Sequence, residues 1–497
     1  MTSLARRLRA LLLCAIVAVA GGCGGSDNPV GSDGAGGPSG APTPGTSPGG
    51  ESSESQNPVI DPEATFFYFS YDESASTASR DLSLFALDAG RRPAKALGRP
   101  YEFLNAENFD GFDAQTVGDF KVSMTMRHPE RGDLPVGAPD NGQLYVLGVN
   151  LAGPSLPLAQ RRNLVLTVLV DISGSMQSPY ASETRSDVRS LLDVVKYGLS
   201  RIGPSLKAGD VLNLVTFATD AQVIAEGLDA TTGAFQARVS ELSSDSTTDI
   251  GKGVNLAYQV ADRHFDPTKA NRVLLLTDAF VNTGELDPAV IAGATVRGDL
   301  EGIRFSAIGV GAGFNDTVLN AISDAGKGSY SAMITPNDAE RLFTADFSRF
   351  IDVAATSVRF RLDYPQSLDQ LRSFGEMQST NPEAVSPVNF SYDSAQFFVE
   401  LFSSATPVAG NEPVTLSIDY TDSSGESRNV SLTRSIDELL ATRTDSLDAA
   451  FAVVSLAELI GERFSCEAVQ ASRLYKEPVQ NATYALYRLN IERFCRL

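Results

Sequence analysis

The chain has 497 residues, long enough for several domains, and combines 20% charged with 42% apolar residues, an ordinary globular balance. Its 40 Lys plus Arg stand against 61 Asp plus Glu, a net charge of -21, which argues against a nucleic-acid partner because such a body repels phosphate backbones.

At the N-terminus Arg6, Arg7 and Arg9 precede an apolar run from Ala10 to Ala20, then small residues and Cys23. A basic start, a short apolar segment and small residues at the cut describe an export signal, and the run is too short to span a bilayer comfortably. Ala20-Gly21-Gly22-Cys23 resembles the lipobox of bacterial lipoproteins. That resemblance implies that residues 1–22 are a signal peptide and that the Cys23 thiol receives lipid, anchoring the chain to a membrane of the bacterial envelope (outer membrane, periplasm or cell surface). Alanine in place of leucine at the third position before the cysteine leaves ordinary secretion as the alternative. Residues 23–60 follow as a Gly/Ser/Pro-rich tether, with too little apolar surface to offset ordering entropy.

Residues 61–161 read as β-rich. Phe66–Phe69 is aromatic, Val122, Met124 and Met126 alternate with polar neighbours, and Tyr145–Val149 is a further apolar run. Over residues 162–352 apolar runs alternate with helical patterns: Leu164–Val170 then Ser186–Ile202, Val211–Phe217 then Phe235–Leu242 and Ile250–Phe265. Val273–Leu276, Pro288–Leu300, Phe305–Val310 and Thr317–Ala325 continue the series. This predicts an α/β fold, a doubly wound and mostly parallel sheet with helices on both faces. Period-two alternation returns at Val358, Phe360, Leu362 and Tyr364 and again at Val414–Tyr420, so residues 353–440 are expected to be an antiparallel β-domain. Residues 441–497 then read as a helical tail with amphipathic helices at Ser446–Arg463 and Glu467–Tyr475. Cys14 falls inside the signal and Cys23 is the anchor candidate, so Cys466 and Cys495 remain as a pair expected to form a disulfide in an exported protein.

At the end of the first buried strand stands Asp171-Ile172-Ser173-Gly174-Ser175-Met176. Parallel sheets bind ligands at the carboxyl ends of their strands, near the point where strand order reverses. One carboxylate and two hydroxyls there would offer oxygen ligands to a hard cation such as Mg²⁺. The pattern is short, and Asp72-Glu73-Ser74-Ala75-Ser76 is a second match; it is set aside as a decoy because a β-rich context is expected to follow it. Thr248, at the opening of the third helical pattern, and Asp278, closing the strand Val273–Thr277, fall where a doubly wound sheet brings them to the same edge as Asp171.

Together, Asp171-x-Ser173-x-Ser175, a threonine in Ser246-Thr247-Thr248-Asp249 and Thr277-Asp278 resemble the adhesion-site signature of von Willebrand factor type A domains. Asn271-Arg272-Val273-Leu274-Leu275, Ile308-Gly309-Val310-Gly311 and Gly326-Lys327-Gly328-Ser329-Tyr330 extend the likeness to a bacterial lipoprotein group over about residues 160–375. The resemblance implies a Rossmann-like domain in which Asp171, Ser173, Ser175, Thr248 and Asp278 hold Mg²⁺ (or Mn²⁺ or Ca²⁺), with an open position for a carboxylate of a protein or other envelope ligand. Three features depart from the pattern: Ala279 stands where glycine usually follows the last aspartate, the stretch from Gln177 to Ser186 is long, and Thr247 adjoins Thr248.

Catalysis finds little support. His128 precedes a proline in a loop and His264 sits at a helix end, both read as solvated, and neither adjoins a nucleophile motif. No Walker loop or dinucleotide fingerprint points to a nucleotide. The expected function is an envelope-anchored adhesion module that is not an enzyme. The alternative is an envelope scaffold in which the metal only stabilises the fold.

Overall fold

The structure, a computed structural model, describes residues 60–497 except 62, 73, 110–113, 130–133, 136–141, 181–185, 246, 281–292, 299–301, 443–444 and 477–479. Residues 1–22, expected to be a signal peptide, together with Cys14, Cys23 and all but the last residue of the expected tether, lie outside the described residues. No described helix is long and apolar enough to cross a membrane.

The central unit is a six-stranded sheet in the order β10-β9-β8-β5-β6-β7. Its strands are β5 (Leu164–Asp171), β6 (Val211–Phe217), β7 (Ala221–Asp229), β8 (Ala270–Thr277), β9 (Ile303–Val310) and β10 (Tyr330–Met333). All neighbours are parallel except β7, which runs antiparallel to β6 at the edge. β5 and β8 are buried along their whole length, as strands covered on both faces must be. Leu166, Val168 and Val170 point toward α3 (Leu191–Ser200), α4 (Ala234–Ser240), α8 (Pro336–Phe343) and α9 (Phe347–Ile351). Leu169 points the other way, toward α5 (Ile250–Arg263) and α7 (Asp316–Ala325). A further helix, α6, is described over 293–298. This is the doubly wound α/β class that the alternation predicts. Capping fixes where helices begin: α3 starts at a capping box of Ser190 with Asp193, later than the pattern from Ser186 suggests.

The segments before and after this unit share two antiparallel sheets. One has the order β13 (Met377–Ser379), β1, β11, β16 (Pro413–Asp422), β17 (Ser427–Ser435), with β14 (Val388–Ser391) also on β11; the other runs β12 (Asp369–Ser373), β15, β4, β3 (Phe120–Arg127), β2. β1 (Phe66–Ser70) pairs with β11 (Val353–Asp363), placing Phe67 opposite Leu362. β4 (Gln143–Ala152) pairs with β15 (Ala395–Ser404), placing Val149 opposite Phe398. Phe67, Phe69, Phe360, Phe398 and Leu416 fill the space between the sheets. The α/β unit is therefore inserted between the two halves of a β-sandwich. Arg162, entering the unit, pairs at 2.6 Å with Asp352, leaving it.

Two regions differ from the sequence reading. Residues 61–161 are not wholly β: α1 (Ala78–Asp88) and α2 (Pro100–Asn105) stand between β1 and β2 (Gln115–Val117). Leu84, Leu87, Phe103 and Leu104 supply a helical apolar face whose partners lie at the far end of the chain. The C-terminal helices, in turn, pack as a layer. α11 (Asp445–Ile460) is buried at nearly every position, not amphipathic, because Phe397, Val399 and Leu401 of β15 cover one side while α2 and α14 (Ala482–Arg496) cover others. Gly148 permits the close approach: a Cβ there would lie 2.9 Å from Leu447 and from Phe397. Cys466, opening α12 (Cys466–Ala471), is disulfide-bonded to Cys495 of α14, with 5.7 Å between Cα atoms.

Candidate metal-ion site

β5 leads to β6 on one side while β8 pairs on the other, so strand order reverses between β5 and β8. Asp171 ends β5 and Asp278 follows β8, which puts both carboxylates at the crevice this reversal opens. Three loops are laced together around it. The Ile172 N–H donates to the Phe217 carbonyl at 2.9 Å, Asp245 N–H to Ile172 at 2.6 Å, and Asp249 N–H to Ala218 at 2.8 Å.

Asp171 is fully buried. One carboxylate oxygen accepts from the Ser173 N–H at 2.8 Å and the other from the Thr277 hydroxyl at 2.5 Å. Burial pushes its pKa up to about 6; the hydrogen bonds from Thr277 and Ser173 oppose that shift, and the neighbouring Asp278 adds to it. Asp278 is 1% exposed, and its carboxyl is also raised, first by burial, against a hydrogen bond from Ser175. Asp278 Oδ1 accepts the Phe280 N–H at 3.3 Å, whereas Oδ2 is buried with no hydrogen-bond partner. The Ser173 and Ser175 hydroxyls lie 3.0 Å apart. Thr248 is buried immediately before Asp249, the N-cap of α5, while Thr247 is turned to the Thr219 hydroxyl at 2.7 Å.

The donor set is thus two carboxylates and hydroxyl oxygens, the hard ligands that Mg²⁺ takes. Two buried carboxylates within reach of one another, one with an unsatisfied oxygen, form a site that a divalent cation neutralises. The fit is good.

Thr277 was given no role of its own by sequence reasoning, yet it orients Asp171 and accepts the Ala279 N–H at 2.8 Å. Its position before an aspartate at a strand end is the only signal that marks it. Ala279 has φ +54°, the left-handed region, which is why glycine suits this position. The long stretch Gln177–Ser186 is described only outside 181–185.

Asp72 is built differently, although a helix and not a β-rich stretch follows it. Its carboxylate accepts from the Ser74 N–H at 3.1 Å, the Ser74 hydroxyl at 3.0 Å and the Ser76 N–H at 2.6 Å, so the motif closes on itself. The Ser76 hydroxyl goes to Glu102 at 2.8 Å. His128 is held by the Leu144 carbonyl at 2.7 Å and stacks on Tyr145, and His264 lies 3.3 Å from Glu226; both are remote from Asp171 in the fold.

A parallel sheet carrying an oxygen-rich crevice at its switch point defines a class of ligand-binding α/β domain. Within the chain, residues 166–280 match the family model described as von Willebrand factor type A domain. The uncharacterized protein YfbK of Escherichia coli (strain K12) is 27% identical over 241 residues, 48% of this chain and 40% of that protein. The uncharacterized protein sll0103 of a Synechocystis strain is 27% identical over 232 residues, 46% of this chain and 51% of its own length. The chain thus spans about half, or less, of these relatives. Among solved structures, von Willebrand factor type A from Catenulispora acidiphila aligns with a TM-score of 0.41 at 15% identity, covering 70% of this chain and 82% of that one.

Proposed function

We propose that the chain is an envelope-anchored adhesion or protein-interaction module that recognises its partner through a divalent cation. Asp171, Ser173, Ser175, Thr248 and Asp278 are the residues assigned to hold the ion. The observation that carries this reading is the pair of buried, charge-repelling carboxylates at the switch point, one of them with an unsatisfied oxygen. The ion supplies a coordination position for a carboxylate from the partner, a charge-assisted contact in a partly dry crevice. The chain's own part is positioning. Thr277 and the Ser173 N–H hold Asp171, and the loops before and after the crevice are tied by backbone hydrogen bonds. Binding rather than hydrolysis is the reading offered, since neither histidine of the sequence adjoins a nucleophile motif. Anchoring falls to lipidated Cys23.

Isothermal titration with Mg²⁺ or Mn²⁺ tests the site: one ion binds, Asp171→Ala removes binding, and Asp72→Ala leaves it. Unchanged affinity in Asp171→Ala refutes the assignment. A pull-down from envelope extract, with Mg²⁺ or with chelator, tests adhesion. Partner loss on chelation with the fold retained supports it, whereas loss of the fold itself points to the scaffold reading.

A further inference from the structure

Among the described residues, the leucines on the outer face of α14 are left exposed. Its inner residues Tyr484, Tyr487, Ile491 and Phe494 are buried against the helical layer. On the other side Leu486 and Leu489 stand 36% and 46% exposed, and Arg493 and Arg496 continue the same row at steps of three and four residues. The loop after α1 lies alongside. Arg92 sits 4.7 Å over the Phe494 ring, Arg493 reaches Asp88, and Lys95 pairs with Glu462 at 2.9 Å. Arg91 and Arg92 are exposed beside them.

Charge on this face runs against the chain as a whole. Arg91, Arg92, Lys95, Arg493 and Arg496 outnumber Asp88, Glu462 and Glu492 by two; the three acids pair with Arg493, Lys95 and Arg496, so the excess is Arg91 and Arg92, on a chain with a net charge of -21. Exposed leucines beside unpaired basic side chains are what an interfacial helix presents to a bilayer, apolar groups to the acyl boundary and cations to the headgroups. Two leucines are far too little for a stable protein interface, which needs roughly 1,000 Å². They suffice as the insertion element of a surface contact whose remaining attraction is electrostatic. The acidic remainder of the body is screened beyond a Debye length of about 8 Å at physiological salt, so the local patch governs close approach.

We infer that the outer face of α14, with the adjoining Arg91–Lys95 loop, is a docking surface for an anionic lipid bilayer. The contact uses none of the residues assigned to the metal site, and orients the body once the chain is at the membrane.

The test uses residues 55–497, a compact unit that contains every core described above. The protein is sedimented with vesicles of phosphatidylcholine alone and of phosphatidylcholine and phosphatidylglycerol in equal parts, in chelator throughout. Binding is expected with the mixed vesicles only, and it falls as salt rises. Arg91→Glu with Arg92→Glu, and separately Leu486→Ser with Leu489→Ser, each lower the bound fraction about tenfold. Both variants keep the circular dichroism and the Mg²⁺ affinity of the parent. Equal binding to neutral vesicles, indifference to either variant, or absence from both vesicle types overturns the inference. So does a dimer in size-exclusion chromatography that the leucine variant abolishes, since the face then belongs to a second copy. Because chelator is present, failure here leaves the metal reading untouched.

Discussion

Asp171 offers a quantitative test of the crevice's electrostatics in chelator. Its pKa in the folded chain is about 6 against a reference value of 3.8, and burial is the first cause. The folded state therefore binds this proton more tightly than the unfolded chain does. Stability from this source is fully present below about pH 4, falls as pH rises through the window from about 4 to 6, and is absent above it. A shift of about two units corresponds to roughly 3 kcal/mol. Asp171→Asn carries no charge to desolvate, so it escapes this loss while keeping the shape of the side chain. In chelator, urea unfolding of parent and variant is followed by far-UV circular dichroism at intervals from pH 4.5 to 8. The stability of the parent relative to Asp171→Asn should decline by about 2 kcal/mol across that range, because about a third of the total is already lost at pH 4.5. Saturating Mg²⁺ should reverse the order at pH 8, because the ion stabilises only the ionised pair. A difference between the two proteins that is flat with pH refutes the claim that burial of Asp171 is uncompensated.

Other perturbations follow from the same geometry. Asp72→Ala should cost about 1–2 kcal/mol in urea unfolding, since three donors lose their acceptor, with Mg²⁺ affinity unchanged. Ala279→Val should destabilise by about 2–3 kcal/mol by the same assay, because a β-branched residue resists the left-handed backbone at φ +54°. Replacing Cys466 and Cys495 together by alanine should cost about 3–4 kcal/mol for a bridge across 29 residues of sequence, read by denaturant unfolding, while titration finds the metal affinity intact.

What could be read in advance tracks how strongly local pattern and burial agree. β6 falls at Val211–Phe217 as read, and β5 and β8 lie over the continuous apolar runs, because strands covered on both faces leave no polar alternation to confuse. β7 escaped notice since Gln222, Glu226 and Gly227 give a mostly exposed edge strand little apolar signal. The near-total burial of α11 depends on β15, α2 and α14, contacts that no local window contains. At the crevice, Asp171, Ser173, Ser175 and Asp278 were legible as oxygen donors placed at strand ends. The part Thr277 plays was not, because it comes from a hydrogen bond across two neighbouring strands. The strain at Ala279 surfaced only as a departure from an expected glycine.

The insertion of the α/β unit into the sandwich also orders events during synthesis. β1 emerges early, but its partner β11 follows only after the whole inserted unit has been made, and β4 waits likewise for β15. Until then the aromatic stretch Phe66–Phe69 offers unpaired strand edges, the kind of surface that aggregates. The parallel sheet, by contrast, needs nothing from outside residues 164–333 to complete its ladder. Once it closes, it draws the ends of the sandwich's two halves together, and the Arg162–Asp352 pair fastens them where they meet. Pairing β1 with β11 then becomes closure of a short gap in place of a very long loop, which removes much of the entropic barrier to finishing the chain.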